Sequence, residues 1–369
     1  MDLFSPKHKS CLGLTILANV GSRREELALK RQNDHRPLPI MLAGLMLVAL
    51  VPTIAGASAA QADSLPPEIE RLYASGSYSQ AADALQSQVE RTPKNAFLYY
   101  WLGRCYFETR DFGHSIVSWE RAVALDSNRS DYHDWLGRAY GRKAEQDSHT
   151  KMAFALALAR KTHREFETAV QLDARDIQAQ RDLIDFMASA PKDLGGGKDR
   201  TLEQIRTLSS IDSLAGMLAL ADFYVTRKKF ELGGQEYQQI LKSAPNRIDP
   251  YFETADYYRD RDDSEHMRQA VEGALKVNHP DRRLDYYLGV SLVLANKDSE
   301  TAEKDLRSYI ETVPENSELP SHSSAYEYLG KLYENQERSD MAVGQYQAAL
   351  VLDPQNESVR ETLKKLQKK

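Results

Sequence analysis

Read from its residues alone, the chain is an all-α solenoid: about eight pairs of amphipathic helices stacked in line and ended by a C-terminal capping helix. Three observations predict this. All 19 Tyr and all three Trp lie beyond residue 63, so the aromatic residues belong to one region. Within that region Tyr100-Trp101-Leu102-Gly103-Arg104-Cys105-Tyr106 returns 34 residues on as Asp134-Trp135-Leu136-Gly137-Arg138-Ala139-Tyr140, and Tyr328-Leu329-Gly330-Lys331-Leu332-Tyr333 is a further copy. Each copy precedes a second apolar block rich in alanine and then a turn, as in Trp119 to Asp126 and Tyr346 to Pro354. A unit of this size cannot bury its apolar face alone, so neighbouring copies have to stack.

The first element is a leader, residues 1–62. From Leu38 to Ala62 there is no charged residue; Lys30, Arg31 and Arg36 stand before it and Ala57-Ser58-Ala59-Ala60-Gln61-Ala62 closes it. A basic flank, an apolar core and small residues at an A-x-A end are the parts of a secretory signal peptide, with cleavage after Ala59 or Ala62. The long stretch before the apolar core departs from that pattern, so a downstream start or a retained membrane anchor over residues 38–60 stays open, as does a buried cytosolic segment. Both export readings put the body in the periplasm or outside the cell, because the basic residues lie on the N-terminal side.

Charge follows the same division. The leader holds seven Lys and Arg against four Asp and Glu, and since the whole chain is −6, the body carries −9. An acidic body without a dense basic run argues against nucleic acid as a partner. Of the two cysteines, Cys11 is in the leader and Cys105 alone in the body, where apolar neighbours mark it as a small core filler.

The helix pairs follow in order. Apolar residues at i, i+3, i+4 and i+7 define two short helices per unit. The Gly of Leu-Gly and the later Ala let them approach closely, and Tyr, Trp and Phe fill the gaps. Asp353-Pro354 stops a second helix, since proline cannot continue it. This pattern resembles tetratricopeptide repeats. Residues 323–356 carry it at Tyr326, Leu329, Gly330, Tyr333, Ala342, Tyr346, Ala349 and Pro354. Residues 96–129 carry it at Tyr99, Leu102, Gly103, Tyr106, Phe112, Trp119 and Ala122, with Ser127 in place of Pro. Other units fall near 63–95, 130–175, 176–211, 214–247, 248–281 and 282–315, and 357–369 is a Lys-rich cap. The resemblance implies a right-handed superhelical solenoid with a concave groove.

Two units break the period. In 130–175 the second helix, about Met152 to Leu172, arrives late. The 176–211 unit is degenerate, with Ala190-Pro191 and Gly195-Gly196-Gly197 between its helices. An expanded unit followed by a Pro and Gly-Gly-Gly turn is similar to exported bacterial repeat proteins, a likeness that brings no activity with it. Seven further residues accumulate around Pro314–Ser323, in a polar loop.

No catalytic, cofactor-binding or metal constellation is recognisable. Gly197-Lys198 lacks the first glycine and the Ser/Thr of a phosphate loop, and reads as a turn with positive φ before a helix. His163-Arg164-Glu165-Phe166-Glu167 lacks the second His of a zinc helix and reads as a solvated face. The Tyr257-Tyr258 and Tyr286-Tyr287 pairs read as core between units. Arg104 and Arg138 share one repeat position, and Arg142 lies a turn beyond Arg138. The resemblance implies that this position faces the groove. There Arg104, Arg138 and Arg142 would offer guanidinium groups to an acidic peptide or a C-terminal carboxylate, with Phe97, Tyr100 and Phe107 as apolar neighbours. The competing reading pairs these arginines with Asp131, Asp134 or Glu108. Asp222, Asp249, Asp256 and Asp260 make the later groove acidic.

The expected function is a non-catalytic protein-interaction scaffold outside the cytoplasm. It needs no cofactor and takes a protein or peptide partner, acidic in character, with no nucleic acid. Membrane contact would come only through a retained N-terminal segment. The alternative is a cell-envelope assembly factor that self-associates or docks to a membrane complex through the expanded unit.

Overall fold

The computed structural model describes residues 64–148, 150–277 and 280–367. The leader, with Ala59 and Ala62, lies outside the described residues, and no helix among these is long and apolar enough to cross a membrane. The described residues are helical throughout, without a strand. Eight pairs follow in sequence: α1 (Pro67–Ala74) and α2 (Tyr78–Arg91); α3 (Ala96–Glu108) and α4 (Phe112–Leu125); α5 (Ser130–Asp147) and α6 (Met152–Leu172); α7 (Ile177–Ser189) and α8 (Lys198–Ile211); α9 (Ser213–Thr226) and α10 (Phe230–Lys242); α11 (Asp249–Arg259) and α12 (Ser264–Lys276); α13 (Arg283–Ala295) and α14 (Ser299–Thr312); α15 (His322–Asn335) and α16 (Ser339–Leu352). The amphipathic α17 (Glu357–Leu366) packs Val359 onto the last pair and ends the stack.

Local chemistry sets these helices. In α2 the buried set Tyr78, Ala81, Ala82, Leu85 and Val89 forms a single helical stripe. Asn95, Asp111, Asp212, Asp263, Asp298, Ser321 and Asn356 each accept the backbone N–H three residues on, which satisfies a donor the helix itself cannot. The turn inside a regular pair has its own signature. One residue sits at positive φ (Gly76, Arg110, Lys228, Asp262, Asn296, Glu337). The N–H of the residue after it donates to the carbonyl five positions back, as Asp111 to Tyr106 at 2.9 Å and Lys297 to Leu292 at 3.0 Å. These positions recur at 34-residue steps within 76–110 and 228–296, so the period of the sequence is also a period of the backbone.

Packing inside a pair is glycine against an aromatic ring. A Cβ at Gly103 would lie 2.7 Å from Trp119, at Gly137 2.6 Å from Phe166, and at Gly330 2.6 Å from Tyr346. Trp119 and Phe166 are wholly buried, as are Ala122, Ala169 and Ala349 on the same helices. Tyr257, Tyr258, Tyr286 and Tyr287 are buried in the core that joins successive pairs. Cys105 is buried and burial pushes its thiol up to about 12, which makes it the inert filler expected.

In the third pair both helices are long. In the fourth, a 3₁₀ turn (Lys192–Leu194) and Gly195 and Gly197 at positive φ lead into α8, as the sequence suggests. One expectation is corrected there: His163 is not on a solvated face. Its ring stacks on Phe186 at 5.3 Å and fills the space that Gly195 leaves by having no side chain.

Candidate functional site

The first three pairs are covered on one side by a distant part of the chain. The segment Val313–Ser321, between α14 and α15, reaches back to the first three pairs. Gly76, after α1, faces Pro314. The Tyr78 hydroxyl donates to the Glu315 carbonyl at 2.9 Å, and the Asn316 side-chain amide donates to that hydroxyl at 3.1 Å. Ser317 donates its N–H (2.7 Å) and its hydroxyl (3.0 Å) to the two oxygens of Glu108. Glu318 enters between two arginines: Arg104 donates to it at 3.0 Å, and Arg138 lies 3.7 Å from its other oxygen.

Arg104 and Arg138 are brought together as the sequence arithmetic implies, one from α3 and one from α5. Both are buried, each only 4% exposed. Their guanidinium carbons lie over Trp135, 3.7 Å and 4.4 Å from its ring centroid. Arg138 also binds Asp182 of α7 at 2.6 Å and Asp134 at 3.1 Å. Two guanidinium groups therefore meet four carboxyls: Glu108, Asp134, Asp182 and Glu318. Burial raises Asp134 well above the usual carboxylate range, with Asp182 adding to it. Burial likewise raises Glu108, against the pull of Arg104 and the Ser317 hydrogen bonds.

Arg142 is set apart. It is half-buried at the rim, paired with Glu145 at 2.9 Å, and not part of the Glu318 cluster. With Phe107, Glu108, Arg110 and Phe112 it forms one wall of a cleft of about 270 Å³; Glu315, Asn316, Ser317, Leu319, Ser321 and Leu352 complete it. The aromatic candidates also divide. Phe107 lines this cleft, Tyr100 stacks on Tyr132 at 5.1 Å, and Phe97 stands edge-on to Trp101 at 6.3 Å. Glu108 and Glu318 organise the site, yet the repeat pattern does not single them out as site residues. The available signal is the seven-residue excess at Pro314–Ser323, whose acidic, proline-bounded composition suits a segment that crosses to another part of the fold.

The inner helices continue this charge pairing beyond the cleft. Arg181 of α7 binds Glu253 of α11 through two nitrogens, at 3.0 Å and 2.8 Å, and Asp222 of α9 at 3.0 Å. Arg283 meets Asp249 at 2.8 Å, and Arg259 holds Asp256 and Asp260. The later aspartates thus carry cationic partners. Next to Arg181, burial pushes Asp185 up to about 7, with Asp182 adding to it and Arg181 and Arg138 opposing it. The native state then keeps a proton that the unfolded chain releases near pH 4, so this group lowers stability progressively as pH rises from about 4 to about 7. Asp185→Asn should gain on the parent between about pH 4 and about pH 7, by up to roughly 1.4 kcal/mol for each pH unit crossed in that window. Urea unfolding at both pH values checks it; a difference that does not change with pH would contradict the assignment.

The tetratricopeptide repeat pattern matches residues 68–132 and 294–357. Among solved structures, a tetratricopeptide-repeat protein of Thermus thermophilus is 17% identical, with a TM-score of 0.41 over 52% of this chain and 95% of that one. One from Parabacteroides merdae is 12% identical (TM-score 0.43; 77% of this chain, 99% of that one). The C-terminal part of one from Cytophaga hutchinsonii is 14% identical (TM-score 0.38; 80% and 98%). No curated protein matches the chain. Two stretches near the opposite ends of the described helix-pair stack therefore carry tetratricopeptide repeats, units of the protein-interaction kind.

Proposed function

We propose that the protein is a non-catalytic scaffold acting outside the cytoplasm, and that it holds an extended peptide or partner segment in the cleft beside Arg104, Arg138 and Arg142. The observation that carries this reading is the cleft itself. Phe107 and Phe112 supply apolar wall, Arg110 and Arg142 supply charge at the rim, and about 270 Å³ of space lies between them and the Val313–Ser321 segment. The export part rests on the uncharged run Leu38–Ala62 with its basic flank and A-x-A end.

A photo-crosslinking side chain at Arg110, in the full chain in intact cells, should capture a discrete partner. The same group at Val117, exposed on α4 away from the cleft lining, should not. Arg142→Glu should reduce the Arg110 adduct at least tenfold while leaving the fold intact, because a rim ion pair is worth under about 1 kcal/mol. Equal adducts from Arg110 and Val117 would overturn the cleft. N-terminal sequencing of the recovered protein tests export: a start at Ala60 or Asp63 supports it, and an intact leader in the cytosolic fraction opposes it.

A second reading, assembly in the cell envelope through the expanded pair, has its own support. Met152 and Phe154 at the start of α6 are exposed apolar side chains, 39% and 49% accessible. Met152→Ser with Phe154→Ser should turn a light-scattering dimer into a monomer; a parent chain that is already monomeric removes self-association.

A further inference from the structure

We propose that residues 314–319 are a displaceable internal ligand, and that the partner occupies the same site with a turn-forming segment bearing a glutamate. This rests on the cleft reading above and specifies what the cleft recognises.

The contacts are those of a bound peptide. Across four consecutive residues the site reads the Glu315 carbonyl, the Ser317 N–H, the Ser317 hydroxyl and the Glu318 carboxylate, through Tyr78, Glu108 and Arg104 with Arg138 beside them. Two of these groups are main-chain, presented from a turn in which the Leu319 N–H donates to the Asn316 carbonyl at 3.1 Å and the Glu318 N–H to the Asn316 side chain at 2.8 Å. The third is a hydroxyl, and the fourth is a carboxylate set between guanidinium groups that both lie over the Trp135 indole. The receiving side is rigid, since Arg104, Arg138 and Trp135 are buried in the stacked pairs. The offered side is a surface connection bounded by Pro314 and Pro320.

Energetics make the segment exchangeable. Its grip on the first three pairs is mainly polar, while Val313 and Leu319 keep its ends on the core of the later pairs, and a hydrogen bond nets only about 0.5–1.5 kcal/mol when an equivalent bond replaces it. A buried ion pair is weak evidence of a stability role, because desolvation offsets most of its attraction. A tethered segment competes at an effective concentration on the order of millimolar, so an external peptide must be better matched or the segment must be released. The cleft beside Leu319 leaves room for the additional side chains through which a longer ligand would gain that advantage.

The test uses a labelled synthetic peptide of residues 314–320 and the full chain, with binding read by fluorescence anisotropy. Ser317→Ala with Glu318→Gln weakens the internal segment and should bind the peptide at least tenfold more tightly than the parent. A peptide with glutamine at the position of Glu318 should lose at least tenfold. Equal affinity of parent and variant, or of the two peptides, overturns the proposal. Should the variant fail to show the parent's circular dichroism, hydrogen exchange on the parent decides: excess peptide should speed exchange at 315–318, and unchanged protection at saturating peptide overturns it. The Arg110 crosslink is read in the same preparations. An adduct without peptide binding leaves the scaffold standing and removes this assignment; loss of both removes the two together.

Discussion

Arg138→Ala should cost the fold about 3–5 kcal/mol, the scale for deleting one partner of a buried charge cluster. The reason is what remains. Asp134 and Asp182, at 3.1 Å and 2.6 Å from Arg138, are themselves buried and would face one another without the guanidinium between them. The deficit should also depend on pH. Asp134 is already raised above its ordinary value, first by burial and then by Asp182, and losing Arg138 removes a group that lowers it. The native state of the variant then binds protons that the unfolded chain has released above about pH 4, so its stability falls as pH rises. Guanidinium unfolding should show a larger deficit at about pH 8 than at about pH 5. A loss under about 1 kcal/mol at the higher pH would mean the three groups do not form the buried cluster described. Arg142→Glu, by contrast, acts on partner capture and barely on stability, which separates the rim from the interior of the same helix.

Trp119→Ala should cost about 3–5 kcal/mol, the range for deleting a large buried aromatic. Trp119 is wholly buried and joins two pairs: it sits over Gly103, 5.8 Å from Phe107, and stacks on Trp135 of the next pair at 5.6 Å. The cavity would therefore open both within a pair and between pairs. The complementary change, Gly103→Ala, should cost about 1–3 kcal/mol by overpacking, because the new methyl would lie 2.7 Å from the ring. Combined, the two should cost less than their sum, since the methyl enters the space the ring vacates. Chemical denaturation of the four chains gives the coupling directly. Additivity within about 0.3 kcal/mol would show that glycine and ring are not in contact. Gly137 with Phe166 and Gly330 with Tyr346 repeat this geometry, so Gly137→Ala and Gly330→Ala should fall in the same range.

Much of this protein is legible without coordinates because it is local and repeated. The Leu-Gly and aromatic positions recur at 34-residue steps wherever the period holds, each contact they make is to the partner helix or the adjacent pair, and so the pattern predicts stacked helix pairs and an end cap directly. The same arithmetic places Arg104 and Arg138 at equivalent positions, and Cys105 and the paired tyrosines in the core. His163 escapes this arithmetic because its neighbour is a glycine turn 32 residues on, in a unit where the period fails and no copy exists to compare.

What the arginines face was decided only by the tertiary structure. Glu318 is 214 residues from Arg104, and Glu253 is 72 from Arg181. Neither separation is set by the period alone. Each depends on the small rotation between successive pairs, summed over the stack, and on a seven-residue excess long enough to cross back. A periodic sequence states what one pair does to the next. It does not state the pitch, because pitch is the accumulated sum of slight differences in packing. Here the connection after α14 returns to the first three pairs, so the basic residues that the repeat aligns meet the chain's own carboxylates.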